Sequence, residues 1–369
     1  MAEKLIITYQ LACSPKEAVK LAKRIAQEQT IEMPEGLVAD QAVKDKIIGR
    51  ISNLRNKEKG LQEVKISYDL DIVDHQLPQL LNLLYGNISL FNGIKITTVK
   101  LPDNLLGRFP GPRFGVGGIR KLLKAEKRPL IAAATKPLGS SPKRLAELCA
   151  QFALGGIDII KDDHSIADQK FCRFAERVKA CTQTIAKAQK QTGKKTLYFP
   201  NVSARAEDLA GQIELARELG AQGVILSPFI IGLDLARSMI DRYGKDLIFM
   251  AHPAMAGGLL GEKQGIAHEI LLGTLTRIVG FDSVIFPHYG GRFPFSRDEC
   301  HSIALSCHEK LGNLRTSFPV PAGGLDIKHL NKETKSYGKD VILLMGSTFY
   351  ARSADLADNV KYVMKQVGA

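Results

Sequence analysis

Tryptophan is absent from these 369 residues, and the six cysteines (Cys13, Cys149, Cys172, Cys181, Cys300, Cys307) form no CxxC pair. Scattered cysteines in a chain this long predict reduced thiols in a cytoplasmic protein. Long apolar runs are missing too. The longest, such as IAAAT and VILLM, fall far short of the ~20 residues that a membrane span needs, and MAEKLIITYQ carries no apolar stretch of signal-peptide type. No run of basic residues extends beyond pairs such as Lys194-Lys195, although 51 Lys+Arg against 38 Asp+Glu leave a net charge of +13. Charge spread in this way, without Trp, predicts a solvated basic surface helped by an anionic substrate, and no nucleic-acid partner. What is present is ordinary globular material: 45% hydrophobic and 24% charged residues. That excludes a disordered or fibrous chain, and the length predicts roughly two domains.

The pattern changes near residue 125. Residues 3–10 and 62–69 alternate like strands, 94–101 reads as a third, and 15–29 and 76–84 carry helical spacing. Together they predict a ferredoxin-like α+β domain over residues 1–125. The Gly/Pro-rich passage Phe109-Pro-Gly-Pro-Arg-Phe-Gly115, with Gly117-Gly118 after it, predicts a connection rather than a helix. From 126 to 369 short apolar strands alternate with helices: PLIAAA, IDII, TLYFP, GVILS, LIFMA, SVIFP, SFPVP and VILLM, with helices expected over 142–154, 173–192, 206–219, 262–279 and 352–366. Eight units in about 240 residues predict a (β/α)8 TIM-type barrel, an α/β fold. A doubly wound sheet is disfavoured because no GxGxxG follows the first strand.

Functional residues of such barrels gather where strands end. After the successive strands stand Thr135-Lys136, Lys161-Asp162-Asp163-His164, Asn201, Ser227, His252, His288-Tyr289 with Arg292, Ala322-Gly323-Gly324, and Gly346-Ser347-Thr348. Lys161 with two carboxylates suits a hard divalent cation, though Asp162 or Asp163 would also serve as a plain helix cap. His252 and His288 suit acid–base or phosphate work, or are satisfied core histidines. The glycine turns suit a phosphate, or are simply turns. Lys136 is either part of this rim or a solvated lysine. Taken together, the rim predicts a phosphorylated, enolisable substrate handled with a metal.

Thr135-Lys-Pro-Leu-Gly139 and Gly155-Gly-Ile-Asp-Ile-Ile-Lys-Asp-Asp163 resemble the RuBisCO large subunit, and most nearly the RuBisCO-like, type IV branch. The Phe109–Gly115 segment, Gln191–Tyr198, Met250-Ala-His-Pro253 and Phe318-Pro-Val-Pro321 are similar to the enolases of methionine salvage. The resemblance implies that Lys161 is carbamylated by CO2 and, with Asp163, holds Mg2+. His164 stands where the family has a third, glutamate ligand, and imidazole is a poorer partner for Mg2+. It further implies that Lys136 works beside the enediolate and that His252 and His288 lie near the substrate. Gly323, Gly324, Gly346 and Ser347 fall at phosphate-binding positions. Asn87 reaches into a partner's site, which makes a homodimer with shared sites. Glu28 is the counterpart of a nearby glutamate.

The departures matter as much. Pro253 replaces a phosphate-gripping arginine, and the chain reads His288-Tyr-Gly-Gly-Arg292 where RuBisCO carries a mobile-loop lysine, Arg292 being the compensating candidate. CO2 fixation is therefore disfavoured. The salvage enolase's base lysine is missing as well, Leu106 or Gly107 taking its place. The expectation is Mg2+-assisted enolisation of a phosphorylated ketose, of 5-methylthioribulose-1-phosphate isomerase type. The alternatives are a carboxy-lyase of a phosphorylated 3-oxo sugar acid and a non-catalytic metabolite binder.

Overall fold

The structure is a computed structural model that describes residues 3–350 and 353–369, without the side chain of Ser347. Its contacts define two compact units. One takes the chain up to Pro110 with Met255–Leu275 and Lys310–Leu314, and the other takes Gly111–Ala254, Thr276–Glu309 and the chain from Arg315 onward. Residues 111–125, assigned by sequence to the first domain, pack in the second.

The first unit runs β1 (Leu5–Leu11), a helix over Pro15–Glu28, β2 (Arg50–Glu58), β3 (Leu61–Tyr68), a helix over Leu77–Tyr85 and β4 (Ile94–Lys100). Its spatial order β4-β1-β3-β2, with antiparallel pairing throughout, is the ferredoxin-like βαββαβ arrangement. Alternation was readable where one face is buried: Gln62, Val64, Ile66 and Tyr68 of β3 point inward. β2 was not anticipated. Its RISNLRNKE sequence has no buried face, and pairing to β3 across the Lys59-Gly60 turn holds it, with Gly60 at φ +80. A two-residue strand, Gly265–Ile266, lies parallel to β4. It interrupts the helix expected over 262–279, which begins only at His268 because Gly265 takes φ +117.

In the second unit come β5 (Leu130–Thr135), β6 (Ile159–Asp162), β7 (Leu197–Phe199), β8 (Gly223–Leu226) and β9 (Ile248–Ala251). After Gly265–Ile266, numbered β10, follow β11 (Ser283–Pro287), β12 (Phe318–Ala322) and β13 (Ile342–Met345). The eight barrel strands are ordered β7-β6-β5-β13-β12-β11-β9-β8, and every pair is parallel. Just beyond β7 and within β8 the ring closes, with Ile225 N donating to Pro200 O and Val202 N to Ile225 O, each at 3.0 Å. Residues spaced by two, such as Leu130/Ala132, Leu197/Phe199, Ile248/Met250 and Ile342/Leu344, share one apolar cluster. That is the filled interior of a (β/α)8 barrel.

Gly115–Leu123 is a helix, not the connection that its glycines suggested. Val116, Ile119 and Leu123 form its apolar stripe and join the barrel-interior cluster, and that burial outweighs the low helix propensity of Gly117 and Gly118.

Candidate active site

Strand alternation sorts the KDD segment. β6 extends through Asp162, so Lys161 lies on the strand rather than after it. Residues two apart share a face, and Lys161 and Asp163 therefore point one way and Asp162 the other. Asp162 is wholly enclosed. Its Oδ1 accepts from Thr135 Oγ1 at 3.1 Å and Tyr198 Oη at 2.8 Å, and its Oδ2 from Arg177 Nε at 2.8 Å and Asn201 N at 3.2 Å. Both Asp162 and Arg177 are 0% exposed. This carboxylate is no helix cap; it anchors the end of β6 to β5, β7 and the following helix. Arg177 escaped the sequence reading although a signal was there: it falls on the apolar stripe Phe174, Val178, Cys181 of the helix Phe174–Thr192, where a cation needs a buried partner.

On the other face, Lys136 Nζ lies 3.2 Å from Asp163 Oδ2. Asp163 Oδ1 receives His164 Nδ1 at 3.2 Å, and Ser165 N and Oγ at 3.2 and 2.9 Å. Burial alone would raise the Asp163 carboxyl. The His164 hydrogen bond and the charges of Lys161 and Lys136 overcome it and hold the group well below the usual carboxylate range. Lys161 is buried, donates to Asp162 O at 2.9 Å, and is pushed down to about 8, chiefly by desolvation. The His164 and His252 rings stack at 4.1 Å and 12°. Burial pushes His252 down to about 2, with Lys161 and His164 acting in the same direction, so its imidazole is neutral. Ala254 N donates to its Nδ1 at 3.2 Å, which leaves the proton on Nε2. Asn201 Nδ2 holds the loop by donating to the carbonyls of His164 and Ile166, each at 3.0 Å. Lys136, Lys161, Asp163, His164 and His252 thus converge at the C-terminal ends of β5, β6 and β9.

His288 belongs to a different cluster. It is 3% exposed, with Nδ1 at 3.1 Å from Tyr337 Oη and Nε2 at 3.6 Å from Glu333 Oε2. Tyr289 Oη donates to the same carboxylate at 2.7 Å. Both ring nitrogens therefore face protein groups. Arg292 is exposed, with its guanidinium 4.9 Å from the centre of the neighbouring Phe293 ring. Gly323 and Gly324 lie exposed after β12 at φ +76 and +99. A Cβ on Gly324 would come 2.6 Å from Gly291 Cα, so only glycine lets the loops after β11 and β12 touch. Thr348 Oγ1 donates to Leu325 O at 2.7 Å and ties in the loop after β13, where Gly346 is half-buried. The Ser347 side chain lies outside the described residues. Asn87 is exposed at the start of a short 3-10 turn in the first unit.

Residues 115–292 match the ribulose bisphosphate carboxylase large chain, catalytic domain. A ribulose bisphosphate carboxylase-like protein 1 of Rhodopseudomonas palustris is 37% identical over 369 residues, all of this chain and 99% of that one. The chain belongs to the RuBisCO large-chain family. Within it, this RuBisCO-like chain is 35% identical to a 5-methylthioribulose-1-phosphate isomerase of Rhodospirillum rubrum, over 100% of this chain and 98% of that one. It is also 32% identical to a 2,3-diketo-5-methylthiopentyl-1-phosphate enolase of Bacillus licheniformis, over 93% of this chain and 86% of the enolase. The crystal structure of a RuBisCO-like protein from Rhodopseudomonas palustris matches it with a TM-score of 0.90 at 35% identity, covering 100% of this chain and 98% of the other. Among the described residues no helix is long and apolar enough to cross a membrane.

Proposed function

We propose that this RuBisCO-like chain enolises a phosphorylated ketose by Mg2+-assisted proton transfer, as a 5-methylthioribulose-1-phosphate isomerase does. The observation that carries this is the convergence of Lys136, Lys161, Asp163, His164 and the neutral His252 on one barrel rim. Similarity along the whole chain to an isomerase of that name supports it.

Among the described residues no three His, Cys, Asp or Glu side chains are grouped to hold a metal ion. A cation at this rim needs one more oxygen donor, and Lys161 is the group able to become one. A buried amine lowered to about 8 has the neutral form available near neutral pH. That form adds CO2, releases a proton and becomes a carbamate. The carbamate, Asp163 and His164 then make a donor set that fits Mg2+, with the imidazole as its weak member. When bound, Mg2+ supplies positive charge that polarises the substrate carbonyl.

The chain's own residues do the rest. His252 presents Nε2–H to a substrate oxygen as a neutral donor. The proton on the carbon beside the carbonyl goes to Lys136 or to the Lys161 carbamate, because His252 is too weak a base and His288 is enclosed. Returning that proton to the former carbonyl carbon, while the hydroxyl proton passes from the neighbouring oxygen to the former carbonyl oxygen, completes an isomerisation and consumes no oxidant or reductant. Gly323, Gly324 and Gly346 offer backbone near the phosphate.

The test is NMR of purified protein with Mg2+, bicarbonate and a panel of phosphorylated ketoses and 3-oxo acids. An isomerised ketose is the expected product. CO2 release from an oxo acid, or binding without turnover, would overturn the assignment. His164→Glu is expected to tighten Mg2+ binding by about tenfold, roughly 1.4 kcal/mol, because it restores a hard anionic ligand; calorimetry showing unchanged affinity would remove His164 from the ligand set. We also infer a homodimer, with Asn87 of one chain serving the other's rim. Light scattering that shows a stable monomer at micromolar concentration would contradict it.

A further inference from the structure

The Phe109–Gly115 segment has no part in the rim chemistry, and the structure places its end under the other end of the barrel. Phe114 N and Gly115 N each donate to Asp282 Oδ1 at 2.8 Å, and Asp282 immediately precedes β11. Val116 N donates to Thr316 O at 3.0 Å, two residues before β12. Both contacts lie where strands begin, opposite the rim where they end. There Arg113, Phe114, Gly118, Gly244, Lys245 and Arg315 line an open cavity of about 390 Å³.

Three of these six residues are cations, and none is an acid. Arg113 is held in place: a Cβ on Gly244 would come 2.8 Å from Arg113 Cγ, so the arginine stem lies directly on glycine backbone. Its Nη2 is 3.2 Å from Asp241 Oδ1, while its Nε is buried without a hydrogen-bond partner among the described residues. Arg315 Nη1 donates to the Arg113 carbonyl, which brings a second guanidinium to the same wall. Lys245 is exposed and makes no ion pair among the described residues. The nearby carboxylates are already engaged. Asp241 is shared between Arg113 and Arg237 Nε at 3.4 Å, and Asp282 is taken up by Phe114, Gly115 and Phe249 backbone N–H groups. The nine-residue helix Gly115–Leu123 begins beside this wall with its positive end.

We propose that this cavity is a second anion site, distinct from the rim, that takes the dianionic phosphate group of a small molecule. Two planar guanidinium groups and an ammonium on one wall match a phosphate's several acceptor oxygens. The cavity has room for a substituent on that phosphate.

The probe is inorganic phosphate, titrated into the full chain with 15N-labelled arginine side chains, and the readout is the Arg113 Nε–Hε resonance. A saturable shift is expected. Lys245→Glu, an exposed position, is expected to weaken it by about tenfold, the scale of one lost charged contact. Arg315→Gln on the other wall should weaken it similarly, and Lys161→Ala at the rim should leave it unchanged. A shift that never saturates would mean an adventitious ion only. That result, indifference to both cavity substitutions, or loss of the shift in Lys161→Ala would each overturn the proposal.

Discussion

Lys161→Ala is expected to lower substrate C–H exchange by about 10³-fold and to abolish its dependence on bicarbonate and Mg2+ together. The two dependences should vanish as one because a single side chain underlies both: without the amine no carbamate forms, and without the carbamate Asp163 and His164 are left as a poor site. The fold should survive. Lys161 is buried and desolvation disfavours its ammonium there, so its removal deletes a poorly solvated charge at the cost of one hydrogen bond, to Asp162 O. Retained phosphate binding with lost exchange would locate the defect in the chemistry. A variant that still responds to bicarbonate would show that CO2 acts elsewhere.

The largest effect on stability is expected from Asp162→Ala, about 4 kcal/mol, because it strands the fully buried Arg177 guanidinium and removes the acceptor of Thr135, Tyr198 and Asn201 N. Urea denaturation measures it directly. The double variant Asp162→Ala/Arg177→Met should recover part of the loss, since removing both charges is far milder than removing one. Equal losses in single and double variants would mean that cavity formation, not the stranded charge, sets the cost.

The eight barrel strands were legible because each is a short apolar run with a polar stop, and the helix Pro142–Leu154 matched the expected residues. The KDD segment was legible as a site but not in its division of labour. Composition says that Lys161, Asp162 and Asp163 are adjacent; only the length of β6 decides which of them faces the rim. The enclosure of His288 had no sequence signature, because Tyr337 and Glu333 come from far along the chain. β2 and the helix Gly115–Leu123 were missed for opposite reasons: the strand has no apolar face, and the helix draws its stability from the barrel interior rather than from its glycine-rich sequence.

The most direct test of the central claim is proton exchange in D2O, followed by 1H NMR on 5-methylthioribulose 1-phosphate with the purified chain, bicarbonate and Mg2+. Enolisation requires that the hydrogen beside the carbonyl be replaced by deuterium, that chelation of Mg2+ stop the replacement, and that Lys136→Met slow it without loss of phosphate binding if Lys136 is the base. Exchange in the wild-type chain that ceases when Mg2+ is chelated is the predicted result. A substrate that binds saturably and keeps its hydrogen with Mg2+ present would contradict the account.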